Sequence, residues 1–170
     1  MLIYIIGFMG SGKSMVAKKL ARSLGYCSID LDDYIEKKYL IKIPDLFRER
    51  GEAEFRKLEQ KCLQEISELN NTVVSTGGGT PCNRENFELI KKTGFSIYLD
   101  ASPVLLADRL QNAKTERPLL QDYDSREDLL EFIENKLAER KTFYEKADLK
   151  INAASVDIDK IISGLNELVH

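Results

Sequence analysis

The sequence predicts an α/β fold: a mostly parallel, five-stranded central sheet covered by helices on both faces, in three αβα layers. Three observations carry this. Leu2 to Ile6 is a continuous apolar run, the pattern of a strand buried on both faces. Strand-like and helical segments then alternate along most of the chain. Glycines cluster at the point where the first strand should give way to the first helix. A chain of 170 residues is enough for one domain with a sizeable core and leaves no room for a second.

The elements follow in order. After the glycines, "KSMVAKKLARSLG" sets Met15, Val16, Leu20 and Leu24 on one helical stripe and stops at Gly25, a favoured C-cap. "YCSID" reads as a second strand ending in acid, "TVVST" as a third ending at Gly77, "FSIYLD" as a fourth and "LKIN" as a fifth. Helical patterns cover Arg84 to Lys92, Pro103 to Leu110, Ser125 to Lys146 and Val156 to Val169. Two regions depart from the alternation. Residues 31–69 carry only helical pattern, broken by Pro44 and Gly51, and are the candidate substrate-binding region. Residues 112–124, polar and containing Pro118, join two helices and are the candidate lid.

Composition narrows the function. The net charge of -3, with both signs mixed along the chain, supplies no basic stripe for nucleic acid. The run "MLIYIIGFM" is too short to span a membrane and lacks a basic flank, so it reads as a core strand and not a targeting segment. Cys27, Cys62 and Cys82 have no metal-ligand spacing and are expected to be reduced, mostly buried thiols of a cytoplasmic protein. The expected state is a monomer with no membrane or nucleic-acid partner. His170 is the only histidine, so catalysis must rest on carboxylates, cations and backbone amides.

"GFMGSGKS" satisfies G-x-x-x-x-G-K-[ST] in full, with Gly7, Gly12, Lys13 and Ser14 at the fixed positions. Backbone N–H groups can wrap a phosphate chain only where no Cβ obstructs the turn. Lys13 then faces the β- and γ-phosphates, and the Ser14 hydroxyl suits Mg²⁺. The pattern predicts a nucleoside triphosphate bound with magnesium. There is no asparagine-lysine-x-aspartate stretch of the kind that selects guanine. In "SIDLDDYIE", Asp30 and Asp32 stand at the end of the second strand, where one carboxylate can face the metal and the other an acceptor hydroxyl. Asp33 reads instead as an N-terminal helix cap. Arg56 and Glu59, three apart in "GEAEFRKLE", share a helix face; taken alone, such a pair is usually a solvated one. "STGGGTP" places three glycines after a buried strand, as a backbone must when it approaches a ligand closely.

Together, GxMGxGKS, the D-x-D after the second strand, G-E-x-x-F-R-x-x-E, S-T-G-G-G, and R-P-L-L before R-x-x-x-Y resemble shikimate kinase over nearly the whole chain. That resemblance implies a P-loop fold of the nucleoside monophosphate kinase-like group. It implies transfer of the γ-phosphate of ATP, with Mg²⁺, to the 3-hydroxyl of shikimate, in the route to chorismate and aromatic amino acids. By the same resemblance, Gly10, Ser11, Gly12, Lys13, Ser14 and Met15 form the nucleotide cradle, and Asp30 and Ser14 serve the metal. Asp32 is base or orienter for the attacking hydroxyl. Arg56 and Arg140 clamp the substrate carboxylate, Glu59 orients Arg56, and Gly77, Gly78 and Gly79 face the substrate, with Gly78 offering an N–H. Phe47 and Phe55 form an apolar wall under the ring. Arg117 closes over the phosphates, and Arg109 stacks on adenine opposite the 152–156 loop. Two rivals stand beside this reading: another small-metabolite kinase, such as a gluconate kinase, and a nucleotide-dependent binding module that has lost transfer.

Overall fold

In the computed structural model, residues 1–112 and 125–169 are described. Five strands, β1 (Leu2–Ile6), β2 (Cys27–Asp30), β3 (Thr72–Ser75), β4 (Phe95–Asp100) and β5 (Leu149–Asn152), form one sheet in the order β2-β3-β1-β4-β5. Every neighbouring pair is parallel. The three inner strands carry the apolar runs, and β1 is buried at all five positions. The edge strands β2 and β5 are partly exposed, in keeping with their more mixed sequences.

The helices are α1 (Lys13–Leu24), α2 (Leu31–Tyr39), α3 (Ile43–Ser67), α4 (Arg84–Thr93), α5 (Pro103–Gln111), α6 (Arg126–Tyr144) and α7 (Ile158–Val169). Their ends fall within about a turn of the predicted ones. From β1 the chain leaves through α1 to β2 on one side of the sheet, and from β3 it crosses through α4 to β4 on the other. This reversal beside β1 opens a crevice beyond the carboxyl ends of the strands, where ligands of open α/β sheets sit.

The sequence places the breaks in the helical insertion at Pro44 and Gly51, and the structure moves one of them. Pro44 lies in the first turn of α3, where no backbone N–H has a partner to lose, so it starts that helix rather than ending one. The preceding break is at Leu40, which is left-handed (φ 54) and 91% exposed. Gly51 does interrupt the helical path, with φ 78 and ψ 169.

The cysteine expectation also changes. All three thiols are free, but only Cys62 is buried; Cys82 is partly covered, and Cys27 is exposed because it opens an edge strand. No helix among the described residues is long and apolar enough to cross a membrane. Apart from Asn112, the predicted lid at 112–124 lies outside the described residues, and Arg117 lies there with it.

Candidate active site

The first half of the site is the turn from β1 into α1. Gly10 and Gly12 adopt φ of 82° and 99°, a region open at little strain only to glycine. Gly12 is the N-cap of α1, yet no side chain caps that end and no acid stands in its first turn. The first N–H groups and the positive end of the helix dipole are thus available to an anion. Ser11 Oγ is buried and meets no hydrogen-bond partner among the described residues. Lys13 is buried, with Nζ donating to Phe8 O at 2.9 Å, so its ammonium is folded over the same loop. A triphosphate fits this cradle in charge and in donor supply.

Arg109, on α5, donates from Nη1 to Ser11 O at 2.9 Å and from Nη2 to Ala153 O at 3.0 Å. It ties the phosphate loop to the loop after β5, so its guanidinium is held against the 152–156 segment expected to border adenine. Met15 is 54% exposed on the outer face of α1, beside Gly12.

Asp30 holds the junction between cradle and acceptor. Its Oδ2 accepts from Ser14 Oγ at 2.6 Å, and its Oδ1 accepts from the N–H groups of Asp32 at 3.1 Å and Asp33 at 3.4 Å. The helix cap expected at Asp33 is therefore Asp30, because the residue that ends β2 has the extended backbone of an N-cap while Asp33 is already helical. Capping leaves the second oxygen of Asp30 with Ser14, so one carboxylate fills both roles. Ser75 Oγ, at the end of β3, lies 3.3 Å from Ser14 Oγ.

The cap also fixes Asp32 in the first turn of α2, facing the crevice. Burial raises its carboxyl to about 6, the negative charges of Asp30 and Glu59 push the same way, and Lys13 opposes them.

The second half of the site surrounds Gly77, Gly78 and Gly79. β3 delivers them beside the phosphate loop because Thr76 donates both its N–H and its Oγ1 to Ile5 O, at 3.2 and 3.1 Å. A Cβ built on Gly77 would stand 3.2 Å from Asp32 Oδ1 and 3.2 Å from Glu59 Oε1; one on Gly78 would stand 3.3 Å from Arg140 Nη1; one on Gly79 would stand 2.6 Å from Arg56 Nη2. Four residues drawn from 32 to 140 thus close on three glycines, and the absence of side chains is what lets them.

Glu59 is 1% exposed and shares its two oxygens, one accepting from Arg56 Nη1 at 2.9 Å and the other from Thr80 Oγ1 at 2.7 Å. The pair that would ordinarily be solvated is here half interior. Arg140 lies with Cζ 5.3 Å from the Phe8 ring centroid, and its buried Nη1 meets no hydrogen-bond partner among the described residues. Two guanidiniums flanking an open glycine loop suit a planar carboxylate. Phe47 and Phe55 pack at 4.7 Å between centroids, forming an apolar surface next to Arg56, whose Cζ is 5.1 Å from the Phe55 ring.

Several contributors, among them Thr80, Phe8 and Tyr144, whose hydroxyl donates to Gly78 O, have no assigned role in the sequence reading. Thr80 and Tyr144 lie within the quoted "STGGGTP" and R-x-x-x-Y stretches, but a threonine or tyrosine there reads equally well as packing. Phe8 lies in the cradle pattern at a position open to any residue.

The family model for shikimate kinase matches residues 9–168. The shikimate kinase of Bacteroides thetaiotaomicron is 40% identical over 171 aligned positions, covering 98% of this chain and 97% of that one. That of Aquifex aeolicus is 41% identical over 151 positions, covering 89% and 86%. Among solved structures, the Bacteroides thetaiotaomicron enzyme superposes with a TM-score of 0.90, covering 99% of this chain and 97% of that one. The Acinetobacter baumannii enzyme, solved in complex with shikimate, gives 0.85 at 32% identity, covering 99% and 92%. With the family model matched over nearly the whole chain and relatives about 40% identical along its length, the chain belongs to the shikimate kinase family.

Proposed function

We propose that the family's reaction, transfer of the γ-phosphate of ATP to the 3-hydroxyl of shikimate to give shikimate 3-phosphate and ADP, runs in this chain on the residues just described. One observation carries the assignment of roles: Asp32, Arg56, Glu59 and Arg140 converge on Gly77–Gly79 at the mouth of the phosphate loop.

The loop N–H groups and Lys13 hold the triphosphate, and Arg109 stacks on adenine from the side opposite the 152–156 loop. Ser14 and Asp30 would hold magnesium. Bound there, the ion offsets the charge of the phosphate oxygens.

On the acceptor side, Arg56 and Arg140 take the carboxylate and the glycine loop offers N–H groups. This fixes the ring so that its 3-hydroxyl meets Asp32. With its carboxyl at about 6, Asp32 is ionised at neutral pH and close enough to neutrality to accept a proton as the phosphoryl group arrives. Phosphoryl transfer is mostly positioning and charge stabilisation, and Arg117 supplies the further cation over the phosphates. Residues 1–170 act as one kinase domain, with substrate region 31–69 and lid 112–124, in a cytoplasmic monomer.

ADP release measured with shikimate, with gluconate and with neither separates the readings. Release dependent on shikimate alone is expected. Release driven by gluconate, or none above background, would overturn the proposal.

A further inference from the structure

Tyr144 ends α6, one turn after Arg140, and is fully buried. Its hydroxyl donates to Gly78 O at 2.6 Å, and its ring stacks on Tyr98 with centroids 5.1 Å apart. Tyr98 is itself held by its hydroxyl, which donates to Asp100 Oδ1 at 3.0 Å. The phenol is therefore locked at both ends, by its ring and by its oxygen.

What the hydroxyl grips matters. The Gly78 carbonyl belongs to the same peptide unit as the Gly79 N–H, so the bond fixes the direction of that N–H. The preceding peptide, which carries the Gly78 N–H, is fixed through its own carbonyl, with Thr80 N donating to Gly77 O at 3.2 Å. Both peptides around Gly78 are thus anchored, one locally and one from α6. Without the second anchor, Gly78 O keeps only the long contact from Cys82 Sγ at 3.8 Å, and a glycine peptide with no Cβ turns more easily about it. Arg140 adjoins the same unit, since a Cβ on Gly78 would stand 3.3 Å from its Nη1. Burial raises the Tyr144 phenol, with Arg140 opposing, so the hydroxyl stays protonated and remains a donor.

We propose that Tyr144 is a positioning residue for the acceptor site: its hydroxyl joins the glycine loop to the helix that carries Arg140 and so sets affinity for the carboxylate substrate, without touching it. This rests on the reading of the acceptor as shikimate.

The experiment is calorimetric titration of shikimate and, separately, of ADP into the wild-type chain and into Tyr144→Phe, which keeps the ring stack and removes only the oxygen. The expected result is shikimate bound about tenfold more weakly, the size of one lost hydrogen bond to a bound-state geometry, with ADP affinity within twofold of wild type. A second variant, Tyr144→Leu, also removes the ring and should lower thermal stability in addition. Unchanged shikimate affinity in Tyr144→Phe, or an equal loss for both ligands, would overturn the inference while leaving the function intact. A wild-type chain that does not bind shikimate would overturn both.

Discussion

Arg56 and Glu59 form an ion pair across 2.9 Å in which the carboxylate is 1% exposed and the guanidinium about one third exposed. The asymmetry decides what each residue does. Glu59 cannot be solvated and depends on Arg56 and Thr80, whereas Arg56 spends its Nη2 on an exposed contact with Glu52 at 3.3 Å, which an anion can displace. Removing Arg56 strands a buried charge, and removing both partners does not.

Arg56→Ala should therefore abolish measurable shikimate saturation and also destabilise the fold by about 2–3 kcal/mol, toward the low end for a broken buried pair because Arg56 is part-exposed. The double variant Arg56→Ala/Glu59→Gln should recover most of that stability and none of the substrate binding. Thermal unfolding and shikimate titration of the two variants check this. A double variant as unstable as the single one would show that the pair does not hold Glu59.

The raised carboxyl of Asp32 gives a second expectation. It is an acid whose folded value, about 6, lies above its unfolded value of 3.8, so the folded state binds the proton more tightly. This contribution is present below about pH 4 and is lost as pH rises through 6, a penalty of up to about 3 kcal/mol at neutral pH. Asp32→Asn should melt several degrees higher than wild type at pH 7.5, an advantage that shrinks toward pH 4, while turnover falls by orders of magnitude and nucleotide affinity holds. Equal melting temperatures at pH 7.5 would contradict the burial argument.

Gly79 and Gly7 separate site geometry from fold geometry. A Cβ at Gly79 meets the guanidinium end of the Arg56 side chain, while a Cβ at Gly7 would meet the backbone oxygen of Leu99 at 2.9 Å, at φ 144. Gly79→Ala should raise the KM for shikimate at least several-fold with a smaller loss of melting temperature than Gly7→Ala. Gly7→Ala should lower the melting temperature, as strained backbone substitutions do. Parallel losses in both variants would contradict the distinction.

Arg117 was assigned to the phosphates from the resemblance and lies outside the described residues. Arg117→Ala should reduce kcat by about 10³ or more, the scale of a lost transition-state arginine, and leave shikimate binding by titration unchanged. Normal turnover would remove the role.

Much of this was legible in the sequence. The apolar run of β1 and the glycine pattern place the cradle, because strand burial and a positive-φ turn each demand particular residue types. Asp32 was legible from its place just after β2, whereas Arg56, Glu59 and Arg140 were legible only as a set, through resemblance; singly, each arginine reads as a helix surface charge. The cap was misplaced from Asp30 to Asp33, since three acids in four residues satisfy the same preference and only backbone geometry decides which of them is extended. Thr80 and Tyr144 act through buried hydroxyls whose partners are 21 and 66 residues away, and local pattern holds no record of such contacts.

The central claim is that two guanidiniums around a glycine loop select the acceptor by its carboxylate. The most direct measurement is kcat/KM for shikimate against its methyl ester, which keeps the ring and hydroxyls and removes the charge. Losing charge-assisted hydrogen bonds to both arginines should lower kcat/KM by about 10² or more. An ester used as well as the acid would contradict the clamp.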